Sequence, residues 1–184
     1  GAETAAARRE VDVLISEVGP RDGLQSVAAV MPTEDKKRWI TALYDAGLRE
    51  IEVTSFVPPK LMPQLADAAE IVAHARRLPG LSVLALVPNE KGAQAAMAAG
   101  VHKITVPCSA SEAHSRANVR KTREEMIAQM RNIVALRHDM APSVQIEAGV
   151  SVAFGCTLQG AVPEDEVMRL MEALLQAGAD ETGM

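Results

Sequence analysis

The chain is poor in aromatic residues. Trp39, Tyr44, Phe56 and Phe154 are the only four among 184 residues. Bases and sugars therefore have few rings to stack on, and a formal net charge of −5 repels a phosphate backbone. Nucleic acid is excluded as the expected partner. Cysteine is also scarce. Cys108 and Cys156 cannot build a disulfide framework. No apolar run approaches the roughly 20 residues needed to span a bilayer, so no membrane partner is expected. Gly1 to Glu10 carries charge but no apolar segment, so it is not a secretory signal and is expected to be a flexible amino terminus. A soluble, cytoplasmic protein is the expectation that these absences leave.

The remaining sequence repeats one pattern. Residues 11–18 form a β-branched run closed by Gly19-Pro20, which predicts a buried strand and a sharp turn. Thr33 is placed to cap a helix carrying Trp39, Ile40, Leu43 and Tyr44, with Gly47 as its stop. A strand over 49–53 and a helix over 63–77 follow. Strands are then predicted over 81–87, 101–106 and 144–152. Asn89 caps a helix ending at Gly100, and Thr122-Arg123-Glu124-Glu125 is a capping box opening another. Pro163 suits the first position of a last helix that stops at Gly178. Met97, Met126, Met130, Met168 and Met171 fall on helices and read as core.

Five strands alternating with five helices require parallel pairing, because each helix carries the chain back before the next strand begins. The fold class is α/β. No glycine-rich dinucleotide fingerprint or P-loop follows the first strand, which disfavours a doubly wound nucleotide fold. Alternation favours a TIM (β/α)8 barrel. Ile51 and Val53 share one face of the second strand, while Glu50, Glu52 and Thr54 share the other. In the fifth, Val144, Ile146, Ala148, Val150 and Val152 oppose Gln145, Glu147, Gly149 and Ser151. An apolar outer face and a mixed inner one suit a barrel whose interior holds a site.

Ala177-Gly178-Ala179 repeats the Ala-Gly stop that precedes two earlier strands, yet Asp180 to Met184 has no β-branched run. A sixth strand is signalled and expected to be missing. Since a closed barrel takes about 250 residues, residues 11–184 are expected to be an incomplete catalytic barrel domain of about five strand-helix units. The gene product is expected to be longer, and the 184 residues alone to be inactive.

Active sites of parallel barrels lie on loops after strand carboxyl ends. The first such loop, Glu17 to Gln25, places the Arg21 cation beside Asp22, a hard oxygen donor. That pair suits a carbonyl or carboxylate substrate held on Mg²⁺ or Mn²⁺. Local chemistry alone leaves a surface salt bridge in a tight turn as the ordinary alternative. Glu52 falls on the mixed face near its strand's carboxyl end, with a solvated or structural glutamate as the alternative. The two cysteines read as structural. The histidines, His74, His102, His114 and His138, read as solvated, with only His114 on a loop at the site end.

Gly19-Pro20-Arg21-Asp22-Gly23-Leu24-Gln25 resembles the signature of the hydroxymethylglutaryl-CoA lyase family. The resemblance continues through Ile51 to Lys60, Val87-Pro88-Asn89, Ser109-Ala110-Ser111-Glu112 and Phe154-Gly155-Cys156. It implies a divalent-metal-dependent carbon-carbon lyase of leucine degradation, cleaving 3-hydroxy-3-methylglutaryl-CoA to acetyl-CoA and acetoacetate. It further implies that Arg21 binds substrate and stabilises the enolate, and that Asp22 binds the metal. Glu52 would stand near the reacting hydroxyl, and Ser55 would help bind the acyl-CoA. A homodimer is the assembly it suggests. The family's His-x-His metal ligands and catalytic cysteine have no counterpart here. A related acyl-CoA lyase stays open, as do an acetyl-CoA-condensing synthase, against which Gly19-Pro20 argues, and a non-catalytic partial barrel.

Overall fold

The computed structural model describes residues 13–184. The predicted flexible segment 1–10 and the start of the first strand lie outside these residues. Six strands pair in sequence order, every pair parallel: β1 (Ser16–Glu17), β2 (Glu50–Ser55), β3 (Ser82–Leu86), β4 (Lys103–Ser109), β5 (Gln145–Ser151) and β6 (Glu181–Gly183). Helices α1 (Thr33–Asp45), α2 (Ala68–Ala75), α3 (Glu90–Ala99), α4 (Glu112–Val119), α5 (Arg123–Met140) and α6 (Glu164–Gln176) stand between them. This is the strand-helix alternation of a TIM barrel, present in part.

The sheet's outer face is the core. Ile51 and Val53, Val83 and Ala85, Ile104 and Val106, and Ile146 and Ala148 all lie at 2% exposure or less, packed with Ile40, Ile71, Ala96, Ile133 and Leu174 from the helices. Removing one such aliphatic side chain costs about 2–5 kcal/mol, because the site collapses only in part. The sheet therefore holds the inner face in fixed register.

Four expectations are corrected. First, the sixth strand is present: Glu147, Ala148 and Gly149 pair with Glu181, Thr182 and Gly183. β-branched character was the wrong test, since pairing to β5 supplies what local propensity lacks. Second, the first strand spans only Ser16–Glu17, and Val13, Leu14 and Ile15 are exposed. Third, the loop after β4 contains α4, capped by the Ser111 hydroxyl, so there are six α-helices among the described residues. Fourth, Met168 is 58% exposed and is no part of the core.

Boundaries shift elsewhere. The 63–77 segment splits into a 3₁₀ turn at Pro63–Leu65 and α2. Thr33 lies one residue inside α1, where its hydroxyl bonds Asp67 at 2.7 Å, and Pro163 sits one residue before α6. Val152 turns to φ 53° and leaves the strand. The Asn89 cap and the Thr122/Glu125 capping box form as expected.

Candidate active site

Between β1 and α1 the chain winds through one π-helical turn, Gly19–Gly23, with Pro20 buried. Glu17 Oε1 accepts the Gly19 N–H at 2.6 Å, and Val18 O accepts from Arg21 and Asp22 at 3.0 and 2.7 Å. These bonds aim the Arg21 guanidinium at the middle of β2. Its Nε donates to Glu52 Oε2 at 2.5 Å, and Nη1 donates to Asp22 Oδ1 at 2.8 Å. The Glu52 side chain is 3% exposed, that of Arg21 14% and that of Asp22 56%. Arg21 and Asp22 form the ion pair of the ordinary alternative, and the same cation also reaches inward to Glu52.

Arg21 and Glu52 belong to a polar inner face. A cavity of about 380 Å³ is lined there by Glu50, Glu52, Leu84, Lys103, Thr105 and Glu147, among others. Below the Arg21 contact, buried Lys103 lies 3.4 Å from Glu50, 3.7 Å from Glu147 and 2.6 Å from Glu181. Burial pushes the Glu52 carboxyl above its ordinary value, against the opposing pull of Arg21 and the Thr105 hydroxyl. Burial raises Glu147 as well, with Lys103 opposing and the neighbouring carboxylates adding to the rise. A carboxyl shifted upward toward neutrality is a competent proton acceptor.

Strand pairing alters the facing of two residues. Across β2 and β3, Glu52 pairs with Leu84, but Thr54 pairs with Ala85 and Ser55 with Leu86. Val53 is the extra residue of a bulge, and paired residues share a face. Thr54 therefore joins outward Ala85, contrary to simple alternation, while Ser55 shares the inner face with Leu84 and Glu52. Ser55 is fully buried, and its hydroxyl has no partner. The hydroxyl of outward Thr54 is buried without a partner as well, so this state is not particular to the inner face.

Sequence reasoning gave no role to Lys103, Thr105 or Glu147. The alternation Lys103-Ile104-Thr105-Val106 was the available signal, since it puts Lys103 and Thr105 opposite the core face. Three of the histidines engage the fold. His74 Nε2 lies 3.0 Å from Thr41 Oγ1, His102 Nδ1 accepts the Val83 N–H at 2.9 Å, and His114, on α4, meets Ser109. Cys108 is buried and its thiol is pushed up to about 12 by burial, in keeping with a structural role.

A divalent cation finds one donor here. Asp22 offers a hard, exposed carboxylate, but among the described residues no three His, Cys, Asp or Glu side chains are arranged to hold a metal ion. The donor set is not sufficient by itself, and no chemical step is routed through a metal below.

With this geometry in place, comparison with known proteins identifies the relatives. The model of the HMGL-like family matches residues 12–184. The chain belongs to the HMGL-like family. Over 173 residues it is 39% identical to hydroxymethylglutaryl-CoA lyase YngG of Bacillus subtilis, covering 94% of this chain and 57% of that protein. The HMG-CoA lyase structure from Pseudomonas aeruginosa superposes with a TM-score of 0.87 at 36% identity, over 92% of this chain and 56% of that one. That of Acinetobacter baumannii, in complex with coenzyme A and 3-methylmalate, gives 0.85 at 34% identity, over 92% and 54%. This HMGL-like chain therefore spans a little over half the length of these relatives. No helix among the described residues is long and apolar enough to cross a membrane.

Proposed function

We propose that this HMGL-like chain forms part of a hydroxymethylglutaryl-CoA lyase, with residues 11–184 belonging to one catalytic barrel domain. The observation that carries the reading is the 2.5 Å contact between Arg21 and buried Glu52 on the inner face. The identity to named lyases supports the same substrate class, an acyl-CoA.

Cleavage needs a proton taken from the 3-hydroxyl as the C2–C3 bond breaks. The oxygen becomes the ketone of acetoacetate, and the bonding electron pair moves to C2 as the enolate of acetyl-CoA. Glu52 accepts the hydroxyl proton, a role for which its upward shift suits it. Arg21 lies against the thioester oxygen and stabilises the charge that develops there. C2 then takes a proton from water to give acetyl-CoA, and Glu52 releases the hydroxyl proton to solvent, returning to the carboxylate. Ser55 donates its free hydroxyl to the substrate. Asp22 would supply one oxygen to a Mg²⁺ or Mn²⁺ ion, which would polarise the substrate's oxygens. A cytoplasmic enzyme of leucine degradation, working as a homodimer, completes the reading.

The test is an assay of the protein at the full length of its gene with 3-hydroxy-3-methylglutaryl-CoA and Mg²⁺ or Mn²⁺. Equimolar acetyl-CoA and acetoacetate are expected. Intact substrate at every metal concentration would remove the reading.

A further inference from the structure

Above Thr105 and Glu147 the inner face becomes bare. Pro107, Gly149 and Gly183 lie in one row across β4, β5 and β6. A side chain at either of the last two positions would press on a neighbouring one. A Cβ on Gly183 would sit 2.6 Å from Glu147 Oε1, and one on Gly149 would sit 3.3 Å from Thr105 Cγ2. One row further toward the mouth, Ser109 faces Ser151, and His114 closes over them from the first turns of α4.

One placement of the protons on a neutral imidazole turns all three contacts here into hydrogen bonds at once. Ser151 Oγ donates to the Cys108 carbonyl at 3.1 Å. Ser109 Oγ lies 3.2 Å from Ser151 Oγ and 2.5 Å from His114 Nδ1. Each serine has one proton to give. That of Ser151 is used on the carbonyl, so the proton between the two serines belongs to Ser109. The proton between Ser109 and the imidazole must then be that of Nδ1. Every donor in the chain His114 to Ser109 to Ser151 to Cys108 is thereby matched. The same assignment excludes Ser109 as a nucleophile activated by His114, because it has no proton left to pass to the ring. In that neutral-ring placement Nε2 carries the acceptor lone pair, and among the described residues it makes no hydrogen bond.

We infer that His114 Nε2 is a substrate-positioning acceptor, taking a hydrogen bond from an amide N–H of the pantetheine arm of the acyl-CoA. The inference rests on the lyase reading above and adds a residue to it. An acceptor selects a donor. The carboxylate and phosphates of an acyl-CoA only accept; of its donors, the 3-hydroxyl is taken by Glu52 and the amide N–H groups of the arm follow the thioester next, ahead of the pantoate hydroxyl and the nucleotide. Four residues of β4 separate Thr105, beside Glu52, from Ser109, a rise of about 13 Å. An extended arm running over the bare Pro107–Gly149–Gly183 row bridges that interval and brings the acyl end down to Arg21 and Glu52.

Two measurements on the full-length protein test this. In ¹⁵N NMR, His114 is expected to show a protonated Nδ1 and an unprotonated Nε2; the opposite tautomer would overturn the inference. For the second, the acyl group is presented on pantetheine and on an isostere in which each amide N–H is replaced by oxygen. Wild type is expected to show a KM about fivefold to tenfold lower for the amide form, the span of one neutral hydrogen bond. His114→Asn, whose amide nitrogen keeps the donation to Ser109, is expected to abolish that preference. Ser151→Ala should also abolish it, because Ser109 then turns its proton onto Nδ1 and Nε2 becomes a donor. A preference that survives both substitutions would overturn the inference. Failure of wild type to cleave either thioester would instead overturn the lyase reading, and this inference with it.

Discussion

Arg21 Nε lies 2.5 Å from Glu52 Oε2, joining the turn after β1 to the inner face of β2 across 31 positions of sequence. The carboxylate is all but closed to water, while the guanidinium also touches exposed Asp22. One cation thus ties a buried carboxylate to an exposed one. Replacing Arg21 by alanine should lower kcat/KM by about 100-fold or more, the range expected when a preorganised charge-stabilising donor is lost. Arg21→Lys should recover little, because a single ammonium cannot reproduce the two-point contact. Steady-state kinetics of both variants check this.

Glu52 should show opposite effects on activity and stability. Its folded pKa is raised above 4.5 by burial. The folded state therefore binds its proton more tightly than the unfolded chain, and this group's contribution to stability falls as pH rises from 4.5 through the folded value. Glu52→Gln removes that pH-dependent term. Thermal unfolding of the variant should be at or above the wild-type temperature at neutral pH, while cleavage is lost. A variant that melts well below wild type would contradict the burial argument.

Lys103 is the buried cation that holds Glu50, Glu147 and Glu181 together. Burial alone would lower its pKa, but the three carboxylates outweigh burial and leave it raised above 10.5. Its stabilisation is complete at neutral pH and lost as pH climbs past 10.5 through the folded value. Lys103→Met should cost on the order of 3 kcal/mol at pH 7, because it leaves buried Glu50 and half-buried Glu147 without their cation. The deficit should shrink as pH is lowered and Glu147, whose carboxyl burial raises above its ordinary value, takes up a proton. Urea unfolding at pH 7 and at lower pH measures it.

Gly92 lies in the first turn of α3, and a Cβ there would come within 2.7 Å of the Phe56 carbonyl oxygen. Backbone cannot swing aside as a side chain can. Gly92→Ala should destabilise by about 1–3 kcal/mol and, by pushing the segment after Ser55, raise KM. Chemical unfolding together with KM for the acyl-CoA checks both.

Much of this arrangement was legible in the chain. Alternation placed Glu52 inside and Ile51 outside, and the Thr122 capping box marked the start of α5. Ser55 was different, because its facing depends on the bulge at Val53, which pairing with β3 creates and local sequence does not announce. α4 escaped notice since Glu-Ala-His-Ser-Arg-Ala-Asn-Val has little apolar periodicity. β6 escaped because Glu181-Thr182-Gly183 becomes a strand through pairing with β5. Lys103 and Thr105 were readable from alternation in β4, but their partners on β2, β5 and β6 converge only when the sheet is assembled.

The central claim is that Arg21 and Glu52 carry carbon-carbon cleavage. Mass-spectrometric quantification of acetyl-CoA and acetoacetate from 3-hydroxy-3-methylglutaryl-CoA, for the full-length protein and its Arg21→Ala variant, tests it most directly. The account predicts equimolar products from the first and a rate lower by about 100-fold or more from the second. Undiminished product from the variant would contradict it.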